Sequence, residues 1–112
     1  MPIKRRKKEP FKSLIFNGKY KEFTDFYDIN KETIYKGILD VFEEFKTTRN
    51  KSLDLYISAK IQGLDWDTNF TFHKDESIVL KRDLMPYFEQ IEDYETCHII
   101  NSLYKDLNCQ NN

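Results

Sequence analysis

The chain has 112 residues, enough for one domain with little to spare for a second. A third of them are charged, only 39% are apolar and 15% are aromatic, so the core of a small globular domain has to come from large flat side chains. No run reaches the ~18 apolar residues needed to span a bilayer. The start MPIKRRKKEP has no apolar run behind it and does not read as a signal peptide. Cys97 and Cys109 are too few for a disulfide framework, and the expected compartment is a reducing cytoplasm.

Fourteen lysines against four arginines, a single alanine and frequent Ile and Asn follow AT-rich codons. The expected source is an AT-rich genome, such as that of a low-GC bacterium or its phage. Charge is distributed unevenly. Residues 1–12 hold six cations against Glu9, a local +5, which leaves −6 on the remaining hundred residues. The chain reads as a basic arm on an acidic body.

The arm, residues 1–10, has no periodicity and ends at Pro10. Its five adjacent cations, Lys4, Arg5, Arg6, Lys7 and Lys8, suit a DNA or RNA backbone, where neutralised phosphates release counterions. No stacking aromatic stands beside them, so base-specific reading is not implied. The same run also suits an acidic protein surface or a solubilising tail.

A single small α+β domain is expected over residues 11–108. Leu14-Ile15-Phe16 before Asn17-Gly18 reads as a short strand ending in a turn, and residues 12–16 are the candidate third strand of a sheet. Phe23, Phe26 and Tyr27 fit either a short helix or a packed aromatic loop. Ile34, Ile38, Val41, Phe42 and Phe45 fall on one face of a helix over about 31–47, with Asn30 as its N-cap. Residues 53–62 alternate strictly: Leu53, Leu55, Ile57, Ala59 and Ile61 point one way, and Tyr56 and Lys60 the other. Gly63 ends this strand, LDWD (64–67) reads as a connection, and TNFTFHK (68–74) alternates again to make a β-hairpin. Its polar face, with Tyr56, Lys60, Thr71 and His73, and its edge are candidate partner surfaces.

The last third reads as a helical hairpin. Asp75 or Ser77 caps a helix to about Ile91 with the stripe Leu80, Leu84, Phe88 and Ile91. Pro86 inside it should kink the helix or split it at Met85. Asp93 caps a second helix with the stripe Tyr94, Cys97, Ile100, Leu103 or Tyr104, and Leu107, and residues 109–112 read as a frayed tail. The C-terminal helical hairpin, about residues 84–107 and including the run YFEQIEDYETCHIINSLYKDL (87–107), resembles the UVR motif, a short helical hairpin of bacterial excision-repair proteins and some chaperone-associated proteins. Tyr94, Glu95, Cys97, Ile100 and Leu107 occupy the corresponding places. Asn101-Ser102 stand where that family usually has an Arg-Asp pair, and His98 replaces a second small residue. The resemblance implies a hairpin that docks another protein, with Tyr94 and Glu95 as contacts.

The same run gathers Glu89, Glu92, Asp93, Glu95, Cys97 and His98, but helical geometry disperses them. Adjacent Cys97 and His98 diverge by about 100° on a helix, which suits no closed metal site. The acids suit a cap and a solvated face. Carboxylates around Cys97 oppose a reactive thiolate. Asp65 and Asp67 are too few for calcium. The chain carries no glycine-rich phosphate loop and no credible triad. The expectation is a non-enzymatic accessory protein without cofactor, metal or small-molecule substrate, and not on a membrane. It would dock a protein partner while its arm touches nucleic acid. The alternative is a structural component of a larger assembly such as a phage virion.

Overall fold

A computed structural model of the chain describes residues 9–110. The fold is α+β. In chain order it runs β1 (Lys12–Tyr20), α1 (Phe23–Glu44), β2 (Ser52–Ile61), β3 (Leu64–His73), α2 (Met85–Gln90) and α3 (Tyr94–Gln110). A 3-10 turn (Lys74–Glu76) and a π-helical segment (Leu80–Leu84) lead from β3 into α2. The three strands lie in the order β1-β2-β3.

The sheet is mixed. β1 runs parallel to β2, which α1 makes possible as the crossover between them, and β2 runs antiparallel to β3. β1 does not stop at Asn17-Gly18 as the turn signal suggests. It passes through them to Tyr20 by a register shift between Ile15 and Lys19. The β2–β3 turn is Gln62-Gly63 alone, with φ of 56° and 76°. That is the left-handed pair of a type I′ hairpin turn, and Gly63 meets the demand without strain. LDWD is therefore strand, not connection: Leu64 pairs with Ile61 and Trp66 with Ala59.

Helix α1 begins at Phe23, not near residue 31, and ends at Glu44. Glu22 gives it no side-chain cap. Its first turns are held by burial instead, because Phe26 is 1% exposed and meets the Phe16 and Tyr20 rings edge to face, with ring centres 5.1 Å apart in each pair. Asn30 lies inside the helix and is not its cap; its amide donates to the Phe26 carbonyl at 2.9 Å and the Tyr20 hydroxyl at 3.0 Å. Gly37 faces β1, and a Cβ there would stand 3.0 Å from Leu14 Cδ1, so its small size sets how closely helix and sheet approach.

One core joins all layers: Phe26, Ile34, Val41, Phe42 and Phe45 from α1, alternate β2 residues from Leu53 to Ala59, and Leu80, Leu84, Phe88, Ile100, Leu103 and Leu107 from the C-terminal helices. Each fully buried large side chain contributes about 1.5–3 kcal/mol. Helical structure runs on from Ile78 to Gln90 through the π segment. The Met85 N–H reaches back to the Leu80 carbonyl, and this widened turn accommodates Pro86 without splitting the helix. α3 then packs antiparallel: Lys81 Nζ donates to Asn101 Oδ1 at 2.9 Å and lies 5.9 Å from the Tyr104 ring centre. Two residues expected in the buried stripes are not there. Ile91, at the end of α2, is 42% exposed, and Tyr94, at the first position of α3, is 65% exposed. Thr96 takes the inward place instead. α3 extends through Cys109 to Gln110, past the expected start of a frayed tail.

Candidate partner-docking groove

The covered face of the sheet is covered unevenly. α1 lies across β1 and β2, and the π segment packs on α1, with Val79 and Leu84 lining a cavity together with Leu55 and Phe72. The other half of β3 is left open. Alternation places Leu64, Trp66, Phe70 and Phe72 on the core side, yet Leu64 is 70% and Phe70 44% exposed. Across from them Phe23, at the start of α1, is 46% exposed and sets its ring edge against Trp66 at 5.1 Å.

Between α1 and β3 runs an apolar groove. A cavity of about 390 Å³ lies between Tyr35, Ile38, Phe72, Val79 and Leu84. A second of about 180 Å³ lies between Phe23, Phe26 and Trp66. Tyr27, Ile34, Ile57 and Phe70 line both, so the two are adjoining parts of one depression. Among the described residues its charged lining side chains are Arg82 and Asp83, which pair with one another at 2.9 Å. An exposed aromatic depression with its charges paired is the surface chemistry of protein recognition.

One wall carries a tyrosine cluster. The Tyr27 and Tyr35 hydroxyls share a hydrogen bond of 2.8 Å, and the Tyr35 and Tyr87 rings meet edge to face at 5.3 Å. Lys31 Nζ lies 5.4–5.7 Å from all three ring centres, a cation–π arrangement that fixes the wall. Burial, with the Tyr27 hydrogen bond, pushes the Tyr35 phenol well above its ordinary range.

The residues singled out in the sequence fall in three places. Lys4, Arg5, Arg6, Lys7 and Lys8 lie outside the described residues. Tyr56 and Lys60 lie on the open sheet face, each tied to a neighbour. The Tyr56 hydroxyl donates to Asp67 Oδ2 at 2.8 Å, which raises its pKa, and Lys60 stands 3.9 Å from Asp65. Tyr94 and Glu95 are exposed at the α2–α3 corner, on the helical side of the sheet. The fold does not gather these pairs into one surface.

Nor does it gather the acids, thiol and imidazole of residues 89–98. Asp93 caps α3: Oδ1 accepts the Thr96 N–H at 3.1 Å and Oδ2 the Thr96 hydroxyl at 2.7 Å, which lowers its pKa. Cys97 is half-buried, and burial with Glu89 and Asp93 nearby pushes its thiol up. His98 is exposed beside Glu43, Lys46 and Asp106. Among the described residues no three His, Cys, Asp or Glu side chains converge as metal ligands, and no helix is long and apolar enough to cross a membrane.

Sequence reasoning missed the groove. Phe23 and Phe70 carried a signal, since both fit a buried face, but their exposure depends on how far the C-terminal helices reach. Comparison with known proteins gives no match: no family model, no curated protein and no solved structure matches this chain.

Proposed function

We propose that the chain is a small non-enzymatic interaction protein that docks a protein partner in the groove between α1 and β3, while its basic arm contacts nucleic-acid backbone. The observation that carries the reading is the pair Phe23 and Phe70, each nearly half exposed above an apolar depression whose charges are already paired. Such side chains act as anchors when a partner removes them from water. A second reading places the partner on the α2–α3 corner, as the UVR resemblance implies. It is favoured by Tyr94, which stands 65% exposed beside Glu95.

Tagged wild-type, Phe23→Glu and Tyr94→Ala chains, used to recover proteins from host extract, separate the two. The protein recovered by wild-type is then purified and titrated against each chain. Groove docking predicts at least a tenfold loss of affinity for Phe23→Glu and little change for Tyr94→Ala. The opposite pattern assigns the corner. Full binding by both variants removes both readings.

A further inference from the structure

The second edge of the sheet shows which main-chain groups it offers. Lys74 N–H donates to the Lys51 carbonyl at 2.8 Å, so the Lys51–Lys74 pair is a hydrogen-bonded one. Alternation then turns the backbone of Phe72, Phe70, Thr68, Trp66 and Leu64 towards β2. It turns that of His73, Thr71, Asn69, Asp67 and Asp65 outwards. Two further bonds agree: Asp54, opposite Thr71, accepts from Phe11 on the β1 side, and the His73 N–H goes to Glu76 Oε1 at 2.8 Å rather than to β2. All five outward residues are exposed.

The two edges of the sheet are not alike. β1 has a register break and carries Lys12 and Lys19, devices that discourage strand addition. β3 pairs with β2 without a break along all ten residues and contains neither Lys nor Pro. Its outward residues are also symmetric about Asn69.

We propose that two copies of this chain pair β3 to β3, antiparallel, about a twofold axis at Asn69, to form one continuous six-stranded sheet. In this register Asn69 faces its own copy, Asp67 faces Thr71, and Asp65 faces His73. All three are outward-directed pairs, giving about eight main-chain hydrogen bonds once the His73 N–H, held by Glu76, is left out. Moving the axis to another residue leaves outward groups unmatched. The acidic side chains meet a hydroxyl and an imidazole, and not each other. On the core side Trp66 faces Phe72 of the second copy, and the two half-exposed Phe70 rings become diagonal neighbours within reach. The Val79–Leu84 segment, which lines a cavity with Phe72 in each copy, comes towards the half-exposed Phe70 of the other. A net charge of −1 offers little long-range repulsion between copies.

The pairing and groove docking share Phe70, but their tests are separable, because Asn69 is on the edge outside the groove and Phe23 is on α1. The test is mass by light scattering across a concentration series, with circular dichroism of each chain. Wild-type should reach twice the monomer mass. Asn69→Pro, which removes an outward N–H and no bond to β2, should stay at monomer mass with an unchanged spectrum. If Asn69→Pro loses its fold, Asn69→Lys decides, because it sets like charges face to face across the axis and should give monomer. A wild-type chain that remains monomeric overturns the proposal. So does a folded Asn69 variant that remains dimeric. A monomer whose β3 edge amides become protected from exchange only with an added extended peptide assigns the edge to another partner and also overturns it.

Discussion

Glu92 occupies the place where a helix terminator ordinarily carries glycine. Its φ is +59°, and the hydrogen bonds around it form a Schellman motif: Asp93 N–H to the Phe88 carbonyl at 2.9 Å, and Glu92 N–H to the Glu89 carbonyl at 3.1 Å. A side chain in the left-handed region is sterically disfavoured, and glycine is not. Glu92→Gly is therefore expected to raise stability by up to about 1 kcal/mol, read from urea or thermal unfolding, with the gain reduced by glycine's freedom in the unfolded chain. Glu92→Ala is the control. It removes the same charge from a neighbourhood that already holds Glu89, Asp93 and Glu95, but keeps a Cβ at positive φ. If alanine stabilises as much as glycine, the gain is electrostatic and the backbone argument fails.

One residue later the same corner starts an element. Asp93 holds the first turn of α3 through the Thr96 N–H and hydroxyl, and those bonds lower its pKa in the folded state. A carboxylate whose pKa falls on folding stabilises above its unfolded pKa, and that contribution fades as the pH drops through the folded value. Asp93→Ala should therefore lower Tm at neutral pH, and the gap to wild-type should narrow on acidification below the ordinary aspartate range. A gap that stays constant with pH would show that packing, not the ionised cap, is what the substitution removes. This start was legible in the sequence because a cap is a local signal. So was β2, where alternation from Leu53 to Ile61 needs no knowledge of the rest of the chain. The start of α1 was not, since Glu22 supplies no cap bond and Phe26 is held by Phe16, Tyr20 and Trp66, which are distant in sequence or outside the helix. Nor was the groove: period two puts Phe70 on the core side, and only the reach of the C-terminal helices decides that it stays half exposed. The parallel pairing of β1 likewise depends on α1 being long enough to cross over, which the late helix start obscured.

At the scale of the molecule the charges divide along the chain. Residues 1–12 carry +5 and the rest −6. The open sheet face presents Asp54, Asp65 and Asp67, with Lys60 drawn towards Asp65 and the Tyr56 hydroxyl given to Asp67. A polyanion meeting this body would be repelled, so any nucleic-acid affinity has to come from Lys4, Arg5, Arg6, Lys7 and Lys8. Two quantitative expectations follow from that division. Retention on duplex DNA should be sequence-indifferent, and log K should fall linearly with log salt with a slope no steeper than about −4.5 for each arm engaged, if all five of its cations each neutralise one phosphate. Removal of residues 1–8 should abolish retention at low salt, while Lys60→Ala should leave the slope unchanged, because that ammonium faces a carboxylate. If β3 pairing doubles the chain, two arms act on one lattice, and the intact dimer should show roughly twice the slope of the folded Asn69→Pro chain. If the 112-residue chain shows no binding at low salt, the nucleic-acid contact falls and groove docking is the part of the proposal that remains to be tested.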